Sequence, residues 1–151
     1  MFELETIKKR GRPYLKRWRI LGYLTGHEQS EHYDQVKTVK SKLPFRVNLH
    51  QFFQRDLDGC CHNHPWKWAI SFGLRGSYTE QRINPISLKS SYKTYNAPFV
   101  NFLTHSDFHQ ITEIKGNPIT LFISGPKAVD DWGFLWEGQF TNWRTFLNVK
   151  D

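Results

Sequence analysis

The stretch Cys61-His62-Asn63-His64-Pro65-Trp66-Lys67-Trp68-Ala69-Ile70-Ser71-Phe72-Gly73-Leu74 decides how the rest of the chain is read. Trp66, Trp68, Ile70, Phe72 and Leu74 alternate with Lys67, Ala69, Ser71 and Gly73. A two-residue period belongs to an extended strand, whose successive side chains point to opposite faces, and not to a helix with its 3.6-residue period. His62 and His64 share the even parity of the apolar set, so both imidazoles are expected to turn toward the same interior as Trp66, Ile70, Phe72 and Leu74. Two histidines at i and i+2 on an extended chain can chelate one ion. The other explanation of the pair is two buried histidines satisfied by backbone and carboxylates.

The same period recurs on both sides. Phe45, Val47 and Leu49 alternate with Arg46, Asn48 and His50, and Ile119, Leu121 and Ile123 lie between Pro118 and Gly125-Pro126. Turn signals at Asp56 to Gly59, Gly76, Asn84-Pro85, Asn96 to Pro98, Gly116 to Pro118 and Gly125-Pro126 imply many short strands, the rhythm of a β-sandwich or barrel. The expected strands are 14–21, 45–54, 62–74, 77–83, 98–104, 108–114 and 118–124. Residues 27–43 are polar and hold a short helix or a long loop, and the aromatic stretch Asp131 to Phe146 is expected to cover one end or edge of the barrel. His27-Glu28-Gln29-Ser30-Glu31-His32 has one residue too many for H-E-x-x-H, so on a helix its histidines would stand about 140° apart. Phosphate-cradling GxxxxGK[ST] and GxGxxG patterns are absent.

A third nitrogen ligand is expected from His109, which alternates with Ile111 and Glu113 on one side of a strand, with His105 in reserve. Two histidines from one strand and one from a distant strand give a three-nitrogen site with open positions for water or substrate. Glu80 shares the parity of Tyr78 just beyond Gly76, and both are candidate catalytic residues. Glu80 would serve as a ligand or general base, and its alternative is an exposed strand-end glutamate near Arg82. Asp56 and Asp58 are candidates to hydrogen-bond a ligand histidine, or simply a solvated turn. Cys60 and Cys61 point to opposite faces, so at most one reaches the site. The aromatic set Trp66, Trp68, Tyr78, Trp132, Phe134, Trp136 and Trp143 is read as core before substrate pocket.

On these residues the sequence resembles the cupin superfamily. His62, His64 and Gly76 fall at the spacings of the first cupin motif, although Ala69 stands where that motif has a Glu ligand. His109 fits the histidine of the second motif, with Glu113 in place of its Asn and no Pro-x-Gly turn before it. Loss of the Glu resembles the three-histidine arrangement of the thiol dioxygenases. More narrowly, Tyr14-Leu15-Lys16-Arg17-Trp18, Asp56-x-Asp58, His62-x-His64-Pro65-Trp66, Gly76-x-Tyr78-x-Glu80, Gly125-Pro126 and Trp132-Gly133-Phe134 are similar to small bacterial and phage cupin-like proteins. The resemblance implies an all-β, double-stranded β-helix, the jelly-roll barrel of cupins, with a metal pocket at His62, His64 and His109.

Length and composition fit that reading. A chain of 151 residues is expected to form one cupin-like domain over 1–151, with 1–13 as a basic N-terminal arm. Lys8, Lys9, Arg10, Arg12, Lys16, Arg17 and Arg19 crowd the first 19 residues of a chain with net charge +7, so nucleic acid is a candidate partner through that arm. No apolar run reaches the roughly 20 residues of a membrane helix, and no signal-peptide core precedes the first strand. Two adjacent cysteines suit a reducing compartment, so a cytoplasmic location is expected, with no membrane partner.

The leading functional reading is a mononuclear non-haem Fe(II) oxygenase acting on a small anionic substrate, with Zn, Ni or Mn also fitting these ligands. Its alternatives are a metal-free isomerase or epimerase using His64 or His109 with Glu80 as acid and base, and a non-catalytic small-molecule or nucleic-acid-associated binding module. A homodimer paired through the sheets is a further expectation from the resemblance.

Overall fold

A computed structural model of the chain describes residues 3–22 and 43–150. The expected polar stretch 27–43, including the His27 to His32 segment, lies almost wholly outside the described residues. Nine strands and one helix follow in order: β1 Glu3–Lys9, β2 Arg12–Leu21, β3 Arg46–Phe52, β4 Trp68–Ile83, β5 Ser90–Asn96, β6 Phe99–Thr104, β7 Phe108–Ser124, β8 Gly133–Trp136, β9 Gln139–Asn142 and α1 Trp143–Lys150. All pairings are antiparallel, in the order β1-β2-β3-β7-β4-β5, with β6 pairing β4, and β8 paired with β9.

Two expected pairs of strands are single long ones. The stretches 62–74 and 77–83 were expected apart because Gly76 reads as a turn, and 108–114 and 118–124 because Gly116 does. Instead β4 and β7 run through both positions, and the glycines bend them. Gly76 and Gly116 have φ of +72° and +70°, and the β4–β7 register shifts between Gly73 and Arg75, and again before Ser77. A bulge adds residues to one strand without ending the ladder, so the sheet folds over instead of stopping. A Cβ on Gly76 would sit 2.7 Å from the Lys115 carbonyl oxygen, so the bend admits no side chain there.

The N-terminal end of the expected strand 62–74 is also different. Regular pairing begins only at Trp68, and before it His62 and Trp66 make isolated bridges, to His109 and Phe134 and to Lys127. The irregular stretch resets the alternation. In the first half of β4 the buried residues are Ala69, Ser71 and Gly73, while Ile70 and Phe72 are half-buried and Leu74 is 58% exposed. The expectation that Ile70, Phe72 and Leu74 share the interior with His62 and His64 is therefore overturned.

The inversion extends across the sheet. One outward row runs Trp18, Leu49, Leu121, Phe72, Val100, and the next Leu21, Val47, Ile123, Ile70, Phe102. Between them the inward rows are Arg17, His50, Thr120, Gly73 and Arg19, Asn48, Phe122, Ser71, Asn101. The interior of this half of the barrel is thus largely polar. Apolar packing inside is carried by Leu15, Phe52, Tyr78, Tyr95 and Ile111, and by Ala69, Leu103 and Phe122 with Trp66 against them.

The basic N-terminus is not an arm over residues 3–9, which pair with β2. Its charge is partly spent inside the fold: Lys9 Nζ lies 2.7 Å from Asp58, and Arg19 Nη2 lies 3.0 Å from Glu5. Strand β5 carries no apolar alternation that would have announced it, being exposed except at Tyr95. The aromatic C-terminal stretch folds as a hairpin and helix against the histidine segment. Leu135 N–H donates to the Cys61 carbonyl, Asn63 N–H to that of Gly133, and Phe146 is fully buried, stacked 3.9 Å from Phe134. Among the described residues no helix is long and apolar enough to cross a membrane.

Candidate metal centre

His62 and His109 face each other across two antiparallel segments and exchange both backbone hydrogen bonds, each 2.9 Å. Residues in such a pair project side chains to the same face about 5.5 Å apart at Cα. His64, two residues on, returns to that side, and its Nε2 lies 2.9 Å from His109 Nε2. One ring nitrogen from each of the three imidazoles falls within 4.8 Å of the others. Trp66 and Trp132 stack on His64, and Trp132 and Phe134 flank His62, so the nitrogens converge in an aromatic cage.

Behind His109 stands Glu80, 2% exposed on β4. Its Oε1 lies 2.7 Å from His109 Nδ1 and accepts from Asn101 Nδ2 at 3.1 Å, while Oε2 accepts from Arg82 Nε at 2.9 Å. Burial would raise the Glu80 carboxyl, but the hydrogen bond and charge of His109, then those of Arg82, outweigh it and hold the group below its ordinary value. An ionised Glu80 makes His109 Nδ1 the donor, which leaves the Nε2 lone pair facing His64. Burial, then the neighbouring imidazoles, lower the pKa of His62 and His64, so both are neutral near neutral pH. His62 Nδ1 is buried with no hydrogen-bond partner among the described residues. Three converging imidazoles, one of them with an orphaned nitrogen and another oriented by a carboxylate, fit a divalent transition metal.

The other candidates fall elsewhere. Glu80 contributes no atom to the nitrogen cluster and both its oxygens are taken. Tyr78 lies in the apolar cluster, its hydroxyl accepting from Asn101 Nδ2 at 3.0 Å. His105 meets the site only through its carbonyl, which accepts from Asn63, and Glu113 is exposed. Asp56 bonds the Tyr14 hydroxyl and the Ile111 N–H, and Asp58 bonds Lys9, so neither orients a histidine. Burial first, then Cys60, Asp56 and Glu80, push the Cys61 thiol up to about 12, and its Sγ lies 3.9 Å from the Gln81 carbonyl, outside the nitrogen cluster. Ala69, at the expected Glu position of the motif, packs against Leu103 and Phe122, where a carboxylate would meet apolar side chains.

Sequence reasoning did not single out His50. It lies on the inward row opposite, stacked 5.0 Å from Phe122, and accepts from Arg17 Nε at 3.2 Å. Burial first, then Arg17 and His64, hold His50 well below its ordinary value. The unfolded chain therefore takes up a proton below about pH 6.5 that the native protein does not, and stability falls with pH there. His50 accounts for up to about 1.4 kcal/mol per pH unit of that slope. Urea unfolding of metal-free protein between pH 5 and 7.5 is expected to lose about one proton of dependence in His50→Gln. Superimposable parent and variant slopes would refute the assignment.

No protein-family model matches the sequence, and no curated protein matches it. Solved structures do match in fold. Fe(II)-HppE with an alternative substrate aligns with a TM-score of 0.54 at 10% identity, covering 82% of this chain and 55% of that one. KdgF from Halomonas sp. aligns at 0.51 and 10% identity, covering 82% and 89%, and the formate complex of Lactobacillus farciminis oxalate decarboxylase at 0.51 and 12%, covering 82% and 31%. The chain spans about half the length of the HppE structure it matches. These neighbours show the fold, a cupin-type double-stranded β-helix.

Proposed function

We propose that this chain is a metal-dependent enzyme in which His62, His64 and His109 hold one Fe(II) ion, and that it is an oxygenase acting on a small anionic substrate. The observation that carries this is the convergence of three imidazoles, one of them oriented by the buried Glu80. One structural neighbour was solved in an Fe(II) form, which is consistent with the same metal here. A bound Fe(II) would supply a cationic centre with open positions for dioxygen and substrate. The chain's own part is to keep His62 and His64 neutral, to aim all three rings, to shield them with Trp66, Trp132 and Phe134, and to hold Nδ1 of His109 as a donor through Glu80. Tyr78 then belongs to the packing behind Asn101 and Glu80, and Glu80 is a positioning residue.

A second reading has its own support. Glu80, His109 and His64 form a continuous chain of contacts at 2.7 and 2.9 Å, which without metal is a carboxylate-imidazole relay suited to proton transfer in an isomerase. The two readings separate on metal content. Protein purified without a histidine tag, then offered Fe(II), Mn(II), Ni(II) and Zn(II) anaerobically, is expected to take up about one ion per chain and, in the Fe(II) form, to consume dioxygen when small organic acids are added. A folded protein that stays empty with all four metals would end the oxygenase reading and leave the relay.

A further inference from the structure

Facing the histidine cluster, the inward side of β3, β7 and the first half of β4 is built from polar residues where a barrel core ordinarily places aliphatic ones. Asn48, His50, Ser71, Thr120 and Ser124 are all buried there. The chain has the aliphatic residues to fill it, Val47, Leu49, Ile70, Leu121 and Ile123, but points them outward. Burying hydroxyls without partners costs stability, and Thr120 Oγ1 and Ser124 Oγ have no partner among the described residues. Such a wall suits a polar ligand more than it suits stability.

Arg17, on the neighbouring strand β2, continues this wall as the cross-strand partner of His50. Its side chain is 25% exposed, its Nε is fixed on the neutral His50 Nε2, and its Nη1 lies 3.6 Å from Glu5, which sits nearer Arg19 at 3.0 Å. The guanidinium is therefore held in place mainly by a neutral imidazole, with N–H donors left over. His50 leads back to the metal site through rings: it stacks on Phe122, which meets Trp66 edge-on at 5.4 Å, and Trp66 stacks on His64.

From this placement we infer that Arg17, braced by His50, is the residue that recognises the substrate's carboxylate, and that the substrate is a small organic acid held between this guanidinium and the histidine cluster. The inference rests on the metal-site reading for the far end of the substrate, but not for the near end. A planar fork with free N–H donors binds a carboxylate by charge-assisted hydrogen bonds, each worth roughly a 10–100-fold change in affinity.

The test uses Co(II)-loaded protein and its visible absorption, titrated with malonate, succinate and glutarate, each against its half-amide of equal length. Parent protein is expected to prefer the best-bound diacid over its half-amide by about tenfold or more, Arg17→Gln to lose that preference with Co(II) content unchanged, and Arg17→Lys to recover part of it. Equal preference in parent and Arg17→Gln would overturn the inference while leaving the metal site standing. Should Co(II) not bind, the same acids are compared by thermal shift on the metal-free protein. Stabilisation of the parent but not of Arg17→Gln would then uphold the Arg17 site and sink the metal reading, and equal or absent stabilisation would overturn the inference. If Arg17→Gln does not fold, Arg17→Lys and His50→Gln, which loosen the same guanidinium, carry the comparison, and an unchanged preference in both would overturn it.

Discussion

His109→Ala is expected to lower divalent-metal affinity by at least about 100-fold, while His105→Ala, four residues away, changes it by less than about twofold. Loss of a residue that merely orients a ligand typically costs 10–100-fold, so loss of the ligand itself sets a higher floor. The barrel should survive His109→Ala, because the bonds that join residue 109 to His62 run through the backbone. What the variant forfeits is the Nε2 that sits 2.9 Å from His64, together with the imidazole that Glu80 grips. His105 offers its carbonyl to Asn63 and no ring nitrogen to the cluster. Competition with a chromogenic chelator measures both variants directly. Equal losses in the two would mean that the third ligand has been misplaced, and no loss in either would remove the site.

The three-histidine grouping was legible because it depends on the most local rule of extended chains. Side chains at i and i+2 share a side whatever the sheet does next, so His62 and His64 could be paired before any strand boundary was known. His109 followed from the same rule applied between two turns. What alternation could not supply was the sign. It tells which residues share a face, but not which face looks inward, and here the apolar set Ile70, Phe72, Leu121 and Ile123 looks out. A signal was present in the complementary parity: Asn48, His50, Ser71, Thr120 and Ser124 are polar but uncharged, and a solvated sheet face would have carried Lys or Glu instead.

The bends were hidden for a different reason. Gly76 and Gly116 read as turns because positive φ and flexibility serve turns and bulges alike. Only pairing distinguishes them, and pairing is a property of β4 with β7 rather than of either segment alone. The same holds for β1, whose charged residues read as a solvated arm until Glu5 is seen beside Arg19 and Lys9 beside Asp58. Glu80 was singled out but its role was not legible, since its partners His109, Arg82 and Asn101 come from three strands.

Glu80→Ala is expected to do two kinds of damage that Glu80→Gln separates. Removing one member of a buried charged network leaves the others unpaired, and here the remainder is His109, Asn101 and Arg82. Such losses run to 3–5 kcal/mol when fully buried, and because the Arg82 side chain is 31% exposed the lower end, about 3 kcal/mol, is the fitting estimate. Glutamine keeps an acceptor for His109 but not the charge, so its stability loss should be the smaller, about 1–2 kcal/mol. Metal affinity should nevertheless fall by about 10–100-fold in Glu80→Gln, since a neutral amide orients the imidazole without raising its basicity. The pH dependence carries the same distinction. The Glu80 carboxyl is held low in the fold, so its contribution is present above the unfolded value near 4.3 and is lost as pH falls through the folded one. Urea unfolding of the metal-free parent between pH 6 and 3 should therefore show a decline that Glu80→Gln lacks, and chelator competition at pH 7 should show the affinity loss. A glutamine variant with parental metal affinity would mean that Glu80 serves the fold alone and that His109 is oriented without it.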